Sequence, residues 1–412
     1  SVPDSVGFAI DTQEGRLFHV PDYKFDWTPV DGKPFDITKA AQLAAGGVLS
    51  VASDCLGSTT PGYTESEHTI EGRIEALVAK TRGQIFFTTI SSNISRMQQA
   101  INIAERLKRK VAFIGRSVES KAEIARNLGY LRYQQNMVLS RKQAGKTPKN
   151  EIFHIISGCY GQPGSNLYKV AMGEHERLTA SEGDTVIFSG DPAPPGTKAN
   201  VDFVVDKLIE ANVEVHYYDM QEDLHVSGHG SQEDIKTLFA LLKPKFFIPI
   251  GGTVRHMRAY KNLAVEMGAA PQNVFELAAG EVIEFSGGRA TRAGKVPAEN
   301  VLVDGLGIGD VGEVVLRDRH ILAKDGIAII LLQIDKNAGS LIQDPEIISR
   351  GFVYHGKEKG FLEDTAGKLK GVLLRKKVDK HSAWHMSIDF LERYFYEKTG
   401  RRPMILPVIV EV

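Results

Sequence analysis

The feature that most constrains this chain is an alternation of short apolar segments and amphipathic segments that begins at Thr64. A helix is expected from a cap at Thr64 or Ser66 to Thr81, followed by strand 85–90, helix 94–108, strand 111–114 and helix 119–128. A polar stretch runs to Asn150, and strand 152–156, strand 185–188, helix 201–211 and strand 213–217 complete the series. Strands and helices alternating in this way form an open, mainly parallel sheet with right-handed crossovers.

The flanks read differently. Segments 6–12 and 16–20 form an expected hairpin around Gln13-Glu14-Gly15, with its first strand buried, and Asp22 sits at the strand exit. A second buried strand, 47–52, ends in Ser53-Asp54, and a Gly/Ser/Thr/Pro-rich loop at 57–62 marks a boundary. After the alternation, Val226-Ser227-Gly228-His229-Gly230-Ser231 leads into an amphipathic helix. Strand 246–250, the loop Gly251-Gly252-Thr253, helix 255–267, a strand near 274–277 and a β-rich exit over 280–296 follow. The domain reading is therefore 1–63 and 222–299 as one α/β domain, 64–221 inserted into it, and 300–412 as a C-terminal α+β module. In that module strands are expected at 300–303, 313–316 and 327–334, helices at 358–377 and 382–398, and a closing strand at 403–410.

Charge narrows the functional classes. Fifty basic against 51 acidic residues, with a pI near 6.9, give no global cationic field, so nucleic-acid binding requires a local patch. The only cysteines, Cys55 and Cys159, exclude a disulfide framework and a cysteine-rich zinc site, and suit a reducing cytoplasm. No apolar run approaches the roughly 20 residues of a membrane span, and no secretory signal pattern opens the chain, so no membrane partner is expected. The chain starts without Met and almost at once inside a strand, as expected of part of something longer or of a split protein.

Several motifs bear on chemistry. Gly307-x-Gly309-x-x-Gly312 has the letters of a dinucleotide fingerprint, but 313–316 reads as a strand where the fingerprint needs a helix, so a glycine-rich hairpin is expected. Asp22, Asp54 and His229 each follow a buried strand, as the ligands of a divalent-metal hydrolase do; by spacing alone, strand-end aspartates more often cap helices or turns. His225 and His229 are four apart, but the intervening Ser-Gly argues against a zincin pair. Ser227, Gly228 and Ser231 offer hydroxyls and backbone N–H groups at a helix start, suited to a phosphate or to a plain cap. Asn93 and Ser95, Arg116 and Ser117, and Gly158 and Gly161 stand at strand-to-helix junctions of the insert. Several such anion-friendly loops on one edge suggest a polyphosphate ligand, meaning nucleic acid or nucleotide.

Taken together, Pro3-Asp4-Ser5-Val6-Gly7, Asp22-Tyr23-Lys24-Phe25-Asp26, Ser92-Asn93-Ile94, Gly115-Arg116-Ser117, Val226-Ser227-Gly228-His229, Val303-Asp304-Gly305-Leu306-Gly307-Ile308-Gly309-Asp310, Ile347-Ile348-Ser349-Arg350-Gly351 and Arg401-Arg402-Pro403-Met404 resemble bacterial ribonuclease J over essentially the whole chain. The resemblance implies a partial metallo-β-lactamase-like αββα sandwich with an inserted β-CASP domain and a C-terminal module. It implies a divalent metal, zinc or manganese, RNA as substrate, 5′→3′ exonuclease and endonuclease action, and assembly as a dimer or tetramer or with a related subunit. Asp22 then corresponds to the metal-bridging aspartate, Asp54 to the acidic residue of the first β-CASP motif, and His229 to the histidine of the second.

The chain departs from the family pattern in three places. The family's upstream metal-binding histidines lie before its first residue. Gly251-Gly252-Thr253 stands where the family has His-Gly-Glu, and Ser95 and Cys159-Tyr160-Gly161-Gln162 replace the family's His and Ser-Gln-Gly-Glu. Two functions follow as expectations: a metal-dependent ribonuclease, or a degenerate RNA-binding subunit of an RNA-processing complex. A small-molecule hydrolase fits less well, because the insert and the C-terminal module imply a polymeric substrate.

Overall fold

Thr12 and Gly15 close the first turn. The Thr12 hydroxyl donates to the Gly15 carbonyl at 2.7 Å, and the two residues pair as the last rung of an antiparallel hairpin between β1 (Phe8–Thr12) and β2 (Gly15–Val20). The computed structural model describes residues 2–190, 196–218, 224–299, 301, 303–304, 307–308, 312–352, 358–374 and 377–412. The chain divides into two compact units, Ser1–Pro297 and Ala298–Val412.

In the first unit, α1 (Ile37–Ala44), capped by the Asp36 carboxylate on Lys39 N–H, leads to β3 (Ser50–Asp54). The insert follows as α2 (Thr69–Val78), β4 (Ile85–Thr88), α3 (Ile94–Arg106), β5 (Lys110–Ile114), α4 (Arg116–Asn127), α5 (Arg141–Ala144) and β6 (Ile152–Ile156). It closes with α6 (Asn166–Ala171), β7 (Thr185–Phe188), α7 (Lys198–Glu210) and β8 (Glu214–His216). The chain then returns through α8 (Gln232–Leu242), β9 (Phe246–Ile250) and α9 (Val254–Glu266), and leaves by the hairpin β10 (Glu281–Ser286) and β11 (Arg289–Lys295).

Two sheets result. One has the order β1-β2-β3-β9, with β2, β3 and β9 parallel. The other is wholly parallel, in the order β5-β6-β4-β7-β8, and all of it lies between β3 and β9 in sequence. Each sheet contains a Phe-Phe step that feeds two layers, because successive side chains leave a strand on opposite faces. Phe87 packs with Ile74, Met97 and Phe153, whereas Phe86 packs with Ile114, Val186 and Val204. In β9, Phe247 joins Phe18, Val51 and Tyr260, and Phe246 joins Leu49 and Phe275. Burying one such ring contributes roughly 1.5–3 kcal/mol. This explains why strands covered on both sides read as unbroken apolar runs.

The second unit holds the short hairpin β12 (Val303–Asp304) and β13 (Gly307–Ile308), α10 (Glu313–Asp325), β14 (Ile327–Asp335), β15 (Ser340–Leu341), β16 (Glu346–Arg350), α11 (Glu358–Leu373), α12 (Lys380–Thr399) and β17 (Met404–Glu411). β14 is central, antiparallel to β15 and β16 and parallel to β17. Its side chains alternate in burial; Ala328, Ile330, Leu332 and Ile334 form the core with Leu369, Leu391 and Phe395 from the helices.

Four expectations are corrected. β1 is an exposed edge strand, with Phe8 55% and Ile10 48% accessible, since it pairs only with β2. α2 begins at Thr69 behind His68 without a side-chain cap; the Ser66 hydroxyl instead accepts from His68 N–H in a preceding turn. Segment 274–277 makes a single bridge, Phe247 to Val274, and is not a strand. Residues 313–316 open α10 with Gly312 at its N-cap, so the ground for setting aside the glycine fingerprint was wrong. Its first glycine, Gly307, nevertheless sits in the expected hairpin, paired with Asp304, and that hairpin stands apart from the sheet of β14. Among the described residues no βαβ unit therefore forms there. Gly309 lies outside the described residues, as do Asn300 and Leu302 of the expected first strand of this module.

Candidate active site

The parallel strands β2, β3 and β9 end side by side, and each exit carries a piece of the site. Asp54 is the last residue of β3 and is 3% exposed. Its Oδ1 accepts from Leu56 N–H at 2.9 Å, and its Oδ2 lies 2.6 Å from Nδ1 of His229. Against a carboxylate at that distance Nδ1 carries the proton, which leaves the lone pair of the neutral imidazole on Nε2. The His229 backbone N–H donates to the Ser227 hydroxyl at 3.0 Å, so the loop as well as the ring is held. Asp22, beyond the end of β2, is exposed and places Oδ1 4.0 Å from the same Nδ1. Asp22, Asp54 and His229 thus offer three ligand atoms within 4.8 Å of one another, the one such group among the described residues.

The exit of β9 lies against Asp54. Gly251 has φ +78°, and a Cβ built on it falls 3.3 Å from Asp54 Oδ1. A side chain at this position would start against the Asp54 carboxylate of the cluster; glycine brings no ligand atom. A Cβ on Gly252 would fall 2.6 Å from Cys55 Sγ and 2.7 Å from His256 Cβ, so only glycine fits. Burial, with the Asp54 charge beside it, pushes the Cys55 thiol up to about 11. A thiol so rarely ionised is no nucleophile. Neither cysteine is in a disulfide. Below, the Ser53 hydroxyl bonds the hydroxyl of fully buried Tyr260 at 2.7 Å, and burial raises that phenol above its ordinary range.

One residue that the sequence reading missed ties the loops together. Asp234, fully buried in the first turn of α8, accepts from Phe25 N–H at 3.0 Å, Thr64 N–H at 2.9 Å and Ser231 N–H at 3.0 Å. It therefore joins the Asp22 loop, the entry to the insert and the His229 loop. The legible signal was Ser231-x-x-Asp234 before an apolar run, a capping-box pattern.

A cavity of about 830 Å³ opens beside Asp22 and His229, between the first sheet and the strand ends of the insert. Asp22, Asn93, Ser95, Gly228 and His229 line it together with Lys24. Asn93 caps α3 by accepting from Arg96 N–H at 2.9 Å, and Ser95 is buried in the first turn of that helix. Ser227 and Ser231 hold the loop, Ser231 as the cap of α8. Arg116 and Ser117 are exposed in the first turn of α4, at the end of β5, and Gly158 and Gly161 follow β6. These four share the C-terminal edge of the parallel sheet with Asn93 but do not line the cavity. Packing itself demands the two glycines: a Cβ on Gly158 would fall 2.6 Å from Ser165 Oγ, and one on Gly161 2.3 Å from Asn200 O.

A buried charge network fixes the cavity's two walls. Fully buried Arg96 pairs with Glu67 at 2.5 Å, and Lys24 lies 3.9 Å from Glu67 and 3.5 Å from Asp26. Burial opposes ionisation of Asp26, but N–H donors from Glu67 and Thr28 and the Lys24 ammonium hold its carboxyl below the usual range. No described helix is long and apolar enough to cross a membrane.

Comparison with known proteins gives three family matches along the chain. Residues 82–208 match the ribonuclease J beta-CASP domain, 218–275 the Zn-dependent metallo-hydrolase RNA specificity domain, and 314–412 the ribonuclease J C-terminal domain. The chain is 37% identical over 416 residues to ribonuclease J2 of Bacillus subtilis (strain 168), covering 100% of this chain and 74% of that protein. It is 35% identical over 416 residues to ribonuclease J 2 of Staphylococcus aureus (strain NCTC 8325 / PS 47), again covering 100% and 74%.

Proposed function

The chain belongs to the ribonuclease J family, metal-dependent nucleases of RNA processing with a metallo-β-lactamase-like fold and a β-CASP insert, and from that premise we propose that its cavity binds RNA more effectively than it hydrolyses it. The observation that carries this reading is Gly251. Two ions held for phosphodiester cleavage need a bridging carboxylate and several imidazoles. Here one imidazole and two carboxylates converge, both Asp54 oxygens already accept protein hydrogen bonds, and the neighbouring strand end offers no ligand. This donor set fits one divalent ion, held by Asp22 and His229, and does not by itself fit two.

A bound zinc or manganese ion would supply Lewis acidity and a more acidic water. The chain's own contribution is positional. Asp54 fixes the His229 tautomer by accepting from Nδ1–H, which leaves the Nε2 lone pair as the ligand atom that would hold the ion. Arg116, exposed at the sheet edge, supplies local positive charge for an RNA backbone on a chain that is neutral overall, whereas Lys24 is neutralised by Asp26 and Glu67. The reading puts the protein in the cytoplasm, where cysteines stay out of disulfides. It acts there as a dimer or tetramer, or paired with a related subunit, as the family resemblance implies.

The test uses the purified protein and a 5′-monophosphorylated single-stranded RNA, with manganese or zinc. We expect RNA binding whose affinity falls as salt rises, with cleavage below about 1 s⁻¹, the low end of ordinary enzyme turnover. Fast multiple turnover would instead establish the second reading, a fully competent ribonuclease. Absence of salt-sensitive binding would remove both.

A further inference from the structure

The helix α12 carries a second set of imidazoles, remote in chemistry from the aspartate-rich cluster. His381 and His385 are four residues apart, which stacks them one turn apart on one helix face. Both are exposed, and their ring centroids lie 4.5 Å apart at an interplanar angle of 79°. No ring nitrogen of either is hydrogen-bonded to another described residue, so all stay available to an incoming ligand. The helix beneath them is firmly seated: Ala383, Ser387, Leu391 and Phe395 face the core, and the Asp379 carboxylate caps it by accepting from Ser382 N–H at 2.7 Å.

Two imidazoles at this helical spacing are the arrangement with which helices chelate zinc. Imidazole nitrogen suits zinc, copper and nickel alike, at about 2.0–2.1 Å from zinc. We propose that His381 and His385 form a binding site for one divalent transition-metal ion, with water completing its coordination. Asp379 Oδ1 is committed to Ser382 N–H and Oγ, so the two imidazoles are the protein ligands proposed. The site is therefore open and exchangeable.

Trp384 supplies a reporter. Its ring lies 4.9 Å from that of His385, and only two tryptophans occur in the chain. The experiment titrates Ni²⁺ into the protein bearing Asp22→Ala and His229→Ala, which silences the other cluster, and follows both heat and tryptophan fluorescence. One equivalent should bind with quenching, and His381→Ala or His385→Ala should each weaken binding about tenfold or more. Trp384→Phe should keep the heat and lose the quenching. Since these side chains are exposed, circular dichroism should be unchanged in all variants. No saturable binding, or an isotherm that either alanine leaves unaltered, overturns the proposal.

Discussion

Nδ1 of His229 lies 2.6 Å from Oδ2 of Asp54, although 175 residues separate the two in sequence. The pair joins the loop after the insert to the end of β3, and the carboxylate dictates which ring nitrogen holds the proton. Asp54→Asn removes the charge while keeping the shape. Single-turnover cleavage should fall about 10²- to 10⁴-fold, while the RNA dissociation constant changes less than about threefold. A parallel loss of binding would mean that Asp54 supports the loop and not the chemistry.

Asp234 bears on stability and site together. Asp234→Ala leaves the N–H groups of Phe25, Thr64 and Ser231 without their acceptor in a buried place. Each such loss costs about 1–3 kcal/mol, so a total of roughly 3 kcal/mol or more should be lost in denaturant unfolding. Amide exchange should quicken first at Phe25 and Ser231, the two loops that flank the cluster.

The pH dependence of stability has an identifiable contributor in His154. This residue of β6 is fully buried, stacks on Phe86 with centroids 4.9 Å apart, and has Nε2 3.1 Å from Gln84 Oε1. Burial pushes its pKa from 6.5 down to about 3, against the opposing pull of Asp184 and with help from His175. Between those values the unfolded chain binds the proton that the folded one refuses, so stability is full above pH 6.5 and falls as pH drops toward 3. The whole shift is worth on the order of 5 kcal/mol. His154→Gln keeps a donor for Gln84 and does not titrate. Its unfolding free energy should fall less steeply than the parent's between about pH 6 and 4; equal slopes would remove His154 from the account.

Strands covered on both faces were the most legible part of the fold. Residues 152–156, 185–188 and 246–250 were read with their observed bounds because each is an apolar run with no competing period. The misreading at 313–316 has the opposite cause. Val314, Val315 and Leu316 look like a strand but are 59%, 41% and 42% exposed on a helix, so the burial that makes an apolar run a strand signal is missing. Within the site, Asp22, Asp54 and His229 were each legible as strand-end residues. Their convergence was not, since it depends on which strands are neighbours. Asp234 escaped because a capping aspartate looks the same in sequence whether it serves one helix or three segments.

The central claim is that Gly251 limits hydrolysis, and the direct measurement is single-turnover cleavage of a 5′-monophosphorylated RNA by the parent protein and by Gly251→His, with manganese at saturating protein. Histidine is among the residues that tolerate a positive φ, and its Cβ would point at Asp54 from 3.3 Å. The account predicts a parent rate below about 1 s⁻¹, raised tenfold or more by the substitution, with RNA affinity little changed. A parent rate above that value, or one that Gly251→His lowers, would contradict it.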